Sequence, residues 1–334
     1  MSDPMPDPMI VIGREDVARH LDMAACIGLM RDAMAALSQG RTRQLLRQII
    51  DFDDGNAFGV MPGAIDDLAF GAKLVSVYPA NFARGVQSHQ GVLALFDPAS
   101  GAPVSMIHAG EVTAIRTAAA SAAATDALAR ADAHRLAILG YGEQAWQHAV
   151  AMRHVRPISH IAIWGRSPER AAAFAARVSA ELGLPATAAP DVATAVADAD
   201  IVCTVTAASQ PILFSDQVRD GTHLNIVGSS RAGPVEIDGA LVARARLFAD
   251  HRESVLRQGA EVINALESGL ISEDHVQEIG QVYSGALHSG TTKLTANPTI
   301  YKSLGSIVQD LAAGWHLYRL ARERGFGTAI PAFG

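Results

Sequence analysis

The spacing of apolar positions changes twice along the chain. From Met9 to Gly110 the apolar runs are short, rich in β-branched residues and separated by turns: "MIVIG", "LLRQIIDF", "FGVMPG", "FGAKLVSVYP" and "QGVLALFDPASGAPVSMIHAG". In the last of these, "DPASG" lies between two apolar runs and supplies the Asp, Pro and Gly that a hairpin turn uses. This stretch predicts a sheet with strong antiparallel content. From Ala114 to Ala131 small helix formers replace the β-branched residues, which predicts a tightly packed helix leading into a second domain.

From His134 onward the pattern alternates. "RLAILG" reads as a strand, "EQAWQHAVAMRHV" as a helix, "HIAIWGR" as a strand and "SPERAAAFAARVSAELG" as a helix; "ADIVCTVT", "THLNIVGSS" and "ARLFADH" follow as further apolar strands. Strands that are apolar throughout and separated by helices predict a parallel sheet covered on both faces, a doubly wound α/β domain from about Asp132 to about Ser306. The final stretch, "SLGSIVQDLAAGWHLYRLARERG", reads as one amphipathic helix able to pack back onto the first domain.

Composition narrows the function classes. A chain of 334 residues has room for two domains with their own cores. With 49% hydrophobic and 18% charged residues it reads as a soluble globular protein, and a net charge of -7 argues against a nucleic-acid partner. The N-terminal "MSDPMPDPM" has no basic region before an apolar core, and no apolar run reaches the ~18 residues of a membrane span, so neither a signal peptide nor a membrane role is expected. Cys26 and Cys203 are far apart in apolar settings and read as buried small hydrophobes, which suits a reducing, cytoplasmic location.

Candidate chemistry starts in "HRLAILGYGEQAWQHA". Gly140, Gly142 and Ala145 occupy the three places of a nucleotide fingerprint: the tight turn, the close approach of pyrophosphate to backbone, and the packing of helix on strand. The anion would sit at the helix N-terminus, where unpaired N–H groups and the helix dipole favour negative charge. At the end of the next strand, "IWGRSPER" carries Arg166 and Ser167 and no acid until Glu169, so NADP(H) is favoured over NAD(H), with NAD(H) as the alternative.

Three cations stand in apolar surroundings: Lys73 in "FGAKLVSVYP", Arg47 in "QLLRQII" and Arg116 in "TAIRTAAAS". A buried lysine is costly unless it is paired or has work to do, and burial lowers its pKa toward the range where it can exchange a proton. Two arginines with a lysine suit a carboxylate-bearing small molecule, because the guanidinium fork matches that anion. His89 in "VQSHQGV" is a weaker candidate for acid–base work or substrate hydrogen bonding, since lone histidines are more often structural. No spacing of metal ligands appears, and the "GSS" at Gly228–Ser230 lacks the frame of a nucleophile elbow.

The stretches "GVMPG", "GAKLVSVYP", "SHQGVLALFDPASG", "AIRTAAASAAAT", "LGYGEQAWQH", "IWGRSPERAAAFA", "IVGSS" and "IYKSLGSIVQDLAA" resemble, in order from about residue 44 to 313, the ornithine cyclodeaminase and mu-crystallin family. The resemblance implies a Rossmann-type NAD(P)-binding domain over residues 121–306. It also implies an α+β substrate-binding and dimerisation domain from 1–120 with 307–334, and so a homodimer. It puts Arg47 and Arg116 on the substrate's carboxylate and Lys73 at the reacting carbon and nitrogen. Leu304 matches a residue lining the substrate pocket. Ser88, Thr117, Glu143, Gln144, Arg166, Thr206, the Val227–Gly228–Ser229 loop and Ser303 match cofactor contacts. One departure stands out: cyclodeaminases carry an aspartate in a "GGD" segment, where this chain has Ser230 in "GSSRAGPVEID". That argues against ornithine cyclisation and is closer to the mu-crystallin branch, similar to the ketimine reductases. The expected activity is therefore NADPH-dependent reduction of an imino acid, a cyclic ketimine or an imine of a 2-oxo acid, or the reverse amino acid dehydrogenation. The alternatives are a cyclodeaminase using bound NAD and releasing ammonia, and a non-catalytic ligand-binding protein.

Overall fold

The computed structural model describes residues 8–52, 54–229, 233–287 and 297–331, and it divides into two compact units. The first comprises residues up to Arg116 together with those from Ser306 onward; the second spans Thr117–Gly305. The sequence placed these cuts at 120/121 and 306/307.

The first unit opens with strand β1 (Met9–Ile12) and two helices, α1 (Arg14–His20) and α2 (Met23–Ser38), which the strand-rich reading of this region did not anticipate. Asp22 starts α2 by accepting a hydrogen bond from the Ala25 amide at 3.0 Å. Six strands follow: β2 (Thr42–Gln44), β3 (Gln48–Asp51), β4 (Ala57–Ile65), β5 (Ala69–Val77), β6 (His89–Phe96) and β7 (Pro103–His108). The expected hairpin is β6–β7, closed around Asp97, whose carboxylate accepts from the Ala99 and Ser100 amides. From β2 to β7 the pairing is antiparallel, while β1 joins β7 in parallel. Helix α3 (Ala109–Leu128) starts five residues earlier than the alanine-rich pattern suggested and contains the cut between the units.

The second unit holds β8 (Arg135–Leu139), α4 (Glu143–Met152), β9 (His160–Trp164), α5 (Pro168–Leu182), β10 (Ala186–Ala188), α6 (Val192–Val196), β11 (Ile201–Thr204) and β12 (His223–Ile226). It continues with α7 (Gly239–Arg244), β13 (Arg246–Ala249), α8 (Arg252–Gln258), α9 (Ala260–Glu267), β14 (Val276–Glu278), α10 (Ile279–Tyr283) and β15 (Thr299–Lys302). These strands form one parallel sheet in the order β10-β9-β8-β11-β12-β15-β13-β14. Every residue of β11, β12 and β15 is buried, as a sheet covered on both faces requires. The order reverses between β8 and β11, and the crevice beyond the carboxyl ends of strands at such a point is where open α/β sheets bind ligands.

Helix α11 (Ile307–Arg324) and strand β16 (Thr328–Ile330) return to the first unit, where β16 pairs with β1. Helix α11 packs against α2 and across β4, β5 and β6. Two glycines permit that approach: a Cβ on Gly63 would lie 2.5 Å from Ile307, and one on Gly314 would lie 2.5 Å from Leu93. The sheet's other face carries Ile50 opposite Phe58, the row Val60, Leu74 and Val92, and the stacked pair Phe70 and Phe96. These are half-buried or exposed, with Ile50 at 60%. Among the described residues no helix is long and apolar enough to cross a membrane.

Candidate active site

In the first unit, strand alternation turns Lys73 toward α11, between the buried Met61 and Leu93 of the neighbouring strands. It is 3% exposed, and its Nζ donates to Asp310 Oδ2 at 2.8 Å and to Thr113 Oγ1 at 3.4 Å. Arg116, also 3% exposed, donates from Nε to Asp310 Oδ1 at 3.1 Å and from Nη1 to Gln309 Oε1 at 2.6 Å. One carboxylate, itself fully buried, therefore joins the two buried cations. The charge of Arg47 reaches Lys73. Arg47 does not lie within a strand as the sequence suggested: it occupies the break between β2 and β3 and is half-buried.

Burial lowers the pKa of Lys73 to about 8; Asp310 acts against this, and Arg116 and Arg47 add to it. Burial pushes Asp310 up, but Arg116 and Lys73 outweigh it and hold the carboxyl below its ordinary value. His89 opens β6 with its Nδ1 3.0 Å from Ser88 Oγ. Surrounding protein, then the charges of Lys73, Arg47 and Arg116, bring its pKa down to about 4. The residue is nonetheless exposed, so those three charges carry more of the argument than burial does.

In the second unit the glycine turn lies at the switch point. Gly140 has φ +133°, and a Cβ there would meet the Val205 carbonyl oxygen at 2.7 Å, so the turns after β8 and β11 touch. Gly142 caps α4, and a Cβ added to it meets nothing within 4 Å, which leaves open space before the helix N-terminus. Ala145 is fully buried, as close helix–strand packing demands, while Glu143 and Gln144 form the first turn of α4. After β9, Ser167 caps α5, accepting from the Arg170 amide at 3.2 Å and donating to Glu169 at 2.8 Å. Arg166 is exposed and forms no ion pair among the described residues. This arrangement fits a dinucleotide: room and N–H groups for pyrophosphate, and an exposed arginine at the end of the second strand.

The turns after β11, β12, β13 and β15 are tied by buried carboxylates that the sequence reading passed over. Glu236 accepts at 2.7 Å from each of Thr204 Oγ1, the Thr206 amide, Thr206 Oγ1 and the Gly228 amide. Glu261 accepts from Ser229 Oγ and, at 3.1 Å, from the Glu236 amide. Lys302 Nζ donates at 2.6 Å to both the carbonyl and the hydroxyl of Ser229. It lies 2.9 Å from Glu261 Oε2, close enough for an ion pair although off the line of a hydrogen bond. Asp250 accepts from the Leu304 and Gly305 amides at 2.8 and 2.6 Å. Burial pushes Glu236 and Asp250 up from the ordinary carboxylate range.

Thr206 and Ser229, matched by resemblance to cofactor contacts, thus have hydroxyls engaged by this framework. Val227 lies in the same turn as Gly228 and Ser229. Ser303, 2% exposed after β15, has an Oγ with no hydrogen-bond partner among the described residues. Leu304 is 5% exposed and belongs to the apolar core of the second unit. Thr117 is buried at the first position of that unit, and Ser88 lies in the other. Ser230 and Arg231 fall outside the described residues. Among the described residues no group of His, Cys, Asp and Glu could hold a metal ion, and Cys26 and Cys203 are free and buried. The sequence offered little signal for Asp310 and Lys302 in "IYKSLGSIVQDLAA": each has a polar neighbour, Gln309 or Ser303, and neither stands in an apolar run as Lys73 does.

A parallel sheet with an open glycine turn at its switch point makes the second unit a Rossmann-type dinucleotide-binding domain. The chain belongs to the ornithine cyclodeaminase/mu-crystallin family, whose model matches residues 8–325. It is 32% identical over 326 residues to a Delta(1)-pyrroline-2-carboxylate reductase of Bacillus cereus, covering 96% of this chain and 99% of that protein. It is 34% identical over 314 residues to the ketimine reductase mu-crystallin of Mus musculus, covering 92% and 96%. The solved structure of Thermococcus litoralis Delta(1)-pyrroline-2-carboxylate reductase in complex with NADH and L-proline matches with a TM-score of 0.92 at 30% identity, covering 96% of this chain and 100% of that one.

Proposed function

We propose that this protein is an NADPH-dependent imino acid reductase, acting on a cyclic ketimine or on an imine of a 2-oxo acid. The observation that carries the reading is the cluster in the first unit, where two buried cations, Lys73 and Arg116, share a single buried carboxylate, Asp310, and the charge of Arg47 reaches Lys73. Two cations on one carboxylate suit an anionic ligand, and the named relatives are a pyrroline-2-carboxylate reductase and a ketimine reductase. Arg47 and Arg116 hold the substrate's carboxylate. Lys73 keeps the imine nitrogen protonated, which makes its carbon the better hydride acceptor.

The bound nicotinamide supplies the hydride. Gly140, Gly142 and the first turn of α4, with Glu143, Gln144 and Ala145, take the pyrophosphate. Thr206, Val227, Gly228 and Ser229 contribute through the turns after β11 and β12, and Ser303 through its buried hydroxyl. Ser88 and Thr117 complete the set of cofactor contacts, and Leu304 shapes the wall on the substrate side. Arg166 with Ser167 holds a 2′-phosphate, and this sets NADPH above NADH.

The uncovered apolar sheet face of the first unit, from Ile50 to Phe96, is the seat of a second copy of this chain, because a patch of this kind on a soluble protein marks an interface. Leu74→Asp should convert a dimer to a monomer by light scattering; a wild-type monomer sinks this assignment.

The test of activity is the loss of NADPH absorbance with a panel of Δ1-piperideine-2-carboxylate, Δ1-pyrroline-2-carboxylate, and pyruvate with methylamine. Turnover faster with NADPH than with NADH is the expected result. Silence across the panel, with ammonia released from ornithine and no net change in nucleotide, would overturn it.

A further inference from the structure

Asp310 comes from the first turn of α11, 237 positions along the chain from Lys73, and it is fully buried. Burying a carboxylate is costly unless charged donors satisfy it, and here each oxygen takes a different cation: Oδ2 takes Lys73 and Oδ1 takes Arg116. The start of the helix fixes this position. Ser306 caps α11 and Gln309 closes the capping box, and the Oε1 of Gln309 also receives Arg116 Nη1. Arg116 thus meets two consecutive side chains of one helical turn through Nε and Nη1, while its Nη2 makes no hydrogen bond among the described residues.

We propose that Asp310 is the positioning residue of the substrate site, holding Lys73 in place and protonated while turning the remaining edge of Arg116 toward the substrate's carboxylate. The inference rests on the imine-reductase reading above. Without Asp310, Lys73 would lie buried beside Arg116 without the carboxylate that joins them, and like charges at that range favour loss of its proton. The other titratable groups around the cluster do not replace that negative charge. The His89 ring is neutral under the same three cations, and burial drives the Cys26 thiol, packed from α2 and reached by both Arg116 and Asp310, up to about 12. Gln309 binds Arg116 but carries no charge. The carboxylate and the amide should therefore differ in what their removal does.

The experiment compares pH profiles of kcat for the wild type, Asp310→Asn and Gln309→Met with the best imine of the panel. Thermal unfolding and NADPH fluorescence titration confirm that each variant is folded and binds nucleotide. In Asp310→Asn the alkaline limb should move to lower pH by about 1–3 units, so that activity lost at neutral pH returns on acidification. In Gln309→Met the limb should stay while KM for the imine rises. An Asn variant that binds NADPH normally and keeps the wild-type limb overturns the proposal. If the Asn variant does not fold, Asp310→Glu carries the test: kcat should fall at least about tenfold with the limb in place, and kcat within about twofold of wild type overturns it. A wild type inactive on every imine instead overturns the reductase reading, an outcome distinct from either of these.

Discussion

The two units bury charge in opposite ways. In the first, two buried cations share one carboxylate, and hydrogen bonds among the described residues engage Lys73 and Arg116 only in part. In the second, the carboxylates of Glu236, Glu261 and Asp250 outnumber their cation, Lys302, yet backbone amides and hydroxyls meet them almost completely. A buried polar group whose partners are all internal is scaffolding, because its desolvation is already offset. Buried cations that share one carboxylate and keep donors unused leave a place for an acceptor from outside. The difference between ligand site and ligand-site support is thus readable from whether the charges close on themselves.

Three substitutions test that contrast. The largest effect belongs to Lys73→Met, which removes the proton donor but leaves Asp310 paired with Arg116. Turnover should fall about 10²–10⁴-fold with the unfolding midpoint little changed, measured by steady-state kinetics beside thermal melts. Activity near wild type would mean that this cluster is scaffolding too. Next comes Lys302→Met, which strands Glu261 without its cation. Stability should drop by about 3–5 kcal/mol in urea unfolding, and a loss confined to kcat with no loss of stability would contradict the scaffolding role. The smallest is Arg166→Ala at the exposed end of β9. It should raise KM for NADPH about tenfold and leave KM for NADH unchanged, and equal effects on both nucleotides would remove Arg166 from the 2′-phosphate. The wild-type pH profile sharpens the first of these. The lowered pKa of Lys73, about 8, means that its protonated form predominates below that value, so kcat should decline as pH rises through 8.

Most of the second unit was legible in the chain because parallel strands buried on both faces are mostly apolar, and the runs "LAIL" and "IVC" show it plainly. Short edge strands such as Ala186–Ala188 lack that constraint and left no trace. Helix α2 was hidden for another reason: its apolar residues are spread among alanines, and its clearest signal is the cap Asp22 rather than a stripe. In the site, cations in apolar runs stood out, whereas Asp310 did not. The reading assigned the cations to an external carboxylate and did not ask which internal one would hold them apart. That pairing spans 237 positions from Lys73 to Asp310, and no local pattern encodes it. Ser229 and Thr206 show the converse, since a motif locates a turn but does not say whether its hydroxyls face inward or outward.

The late position of Asp310 also bears on the order in which the chain can fold. During synthesis Lys73 and Arg116 leave the ribosome long before Asp310, and the whole of Thr117–Gly305 is made between them and it. Until α11 is available, closing the first unit's core would strand two cations without a counter-charge. The second unit can settle alone, while the first must wait for its C-terminal helix. Chains stalled short of residue 310 should therefore lose β4–β6 to protease while retaining the parallel sheet.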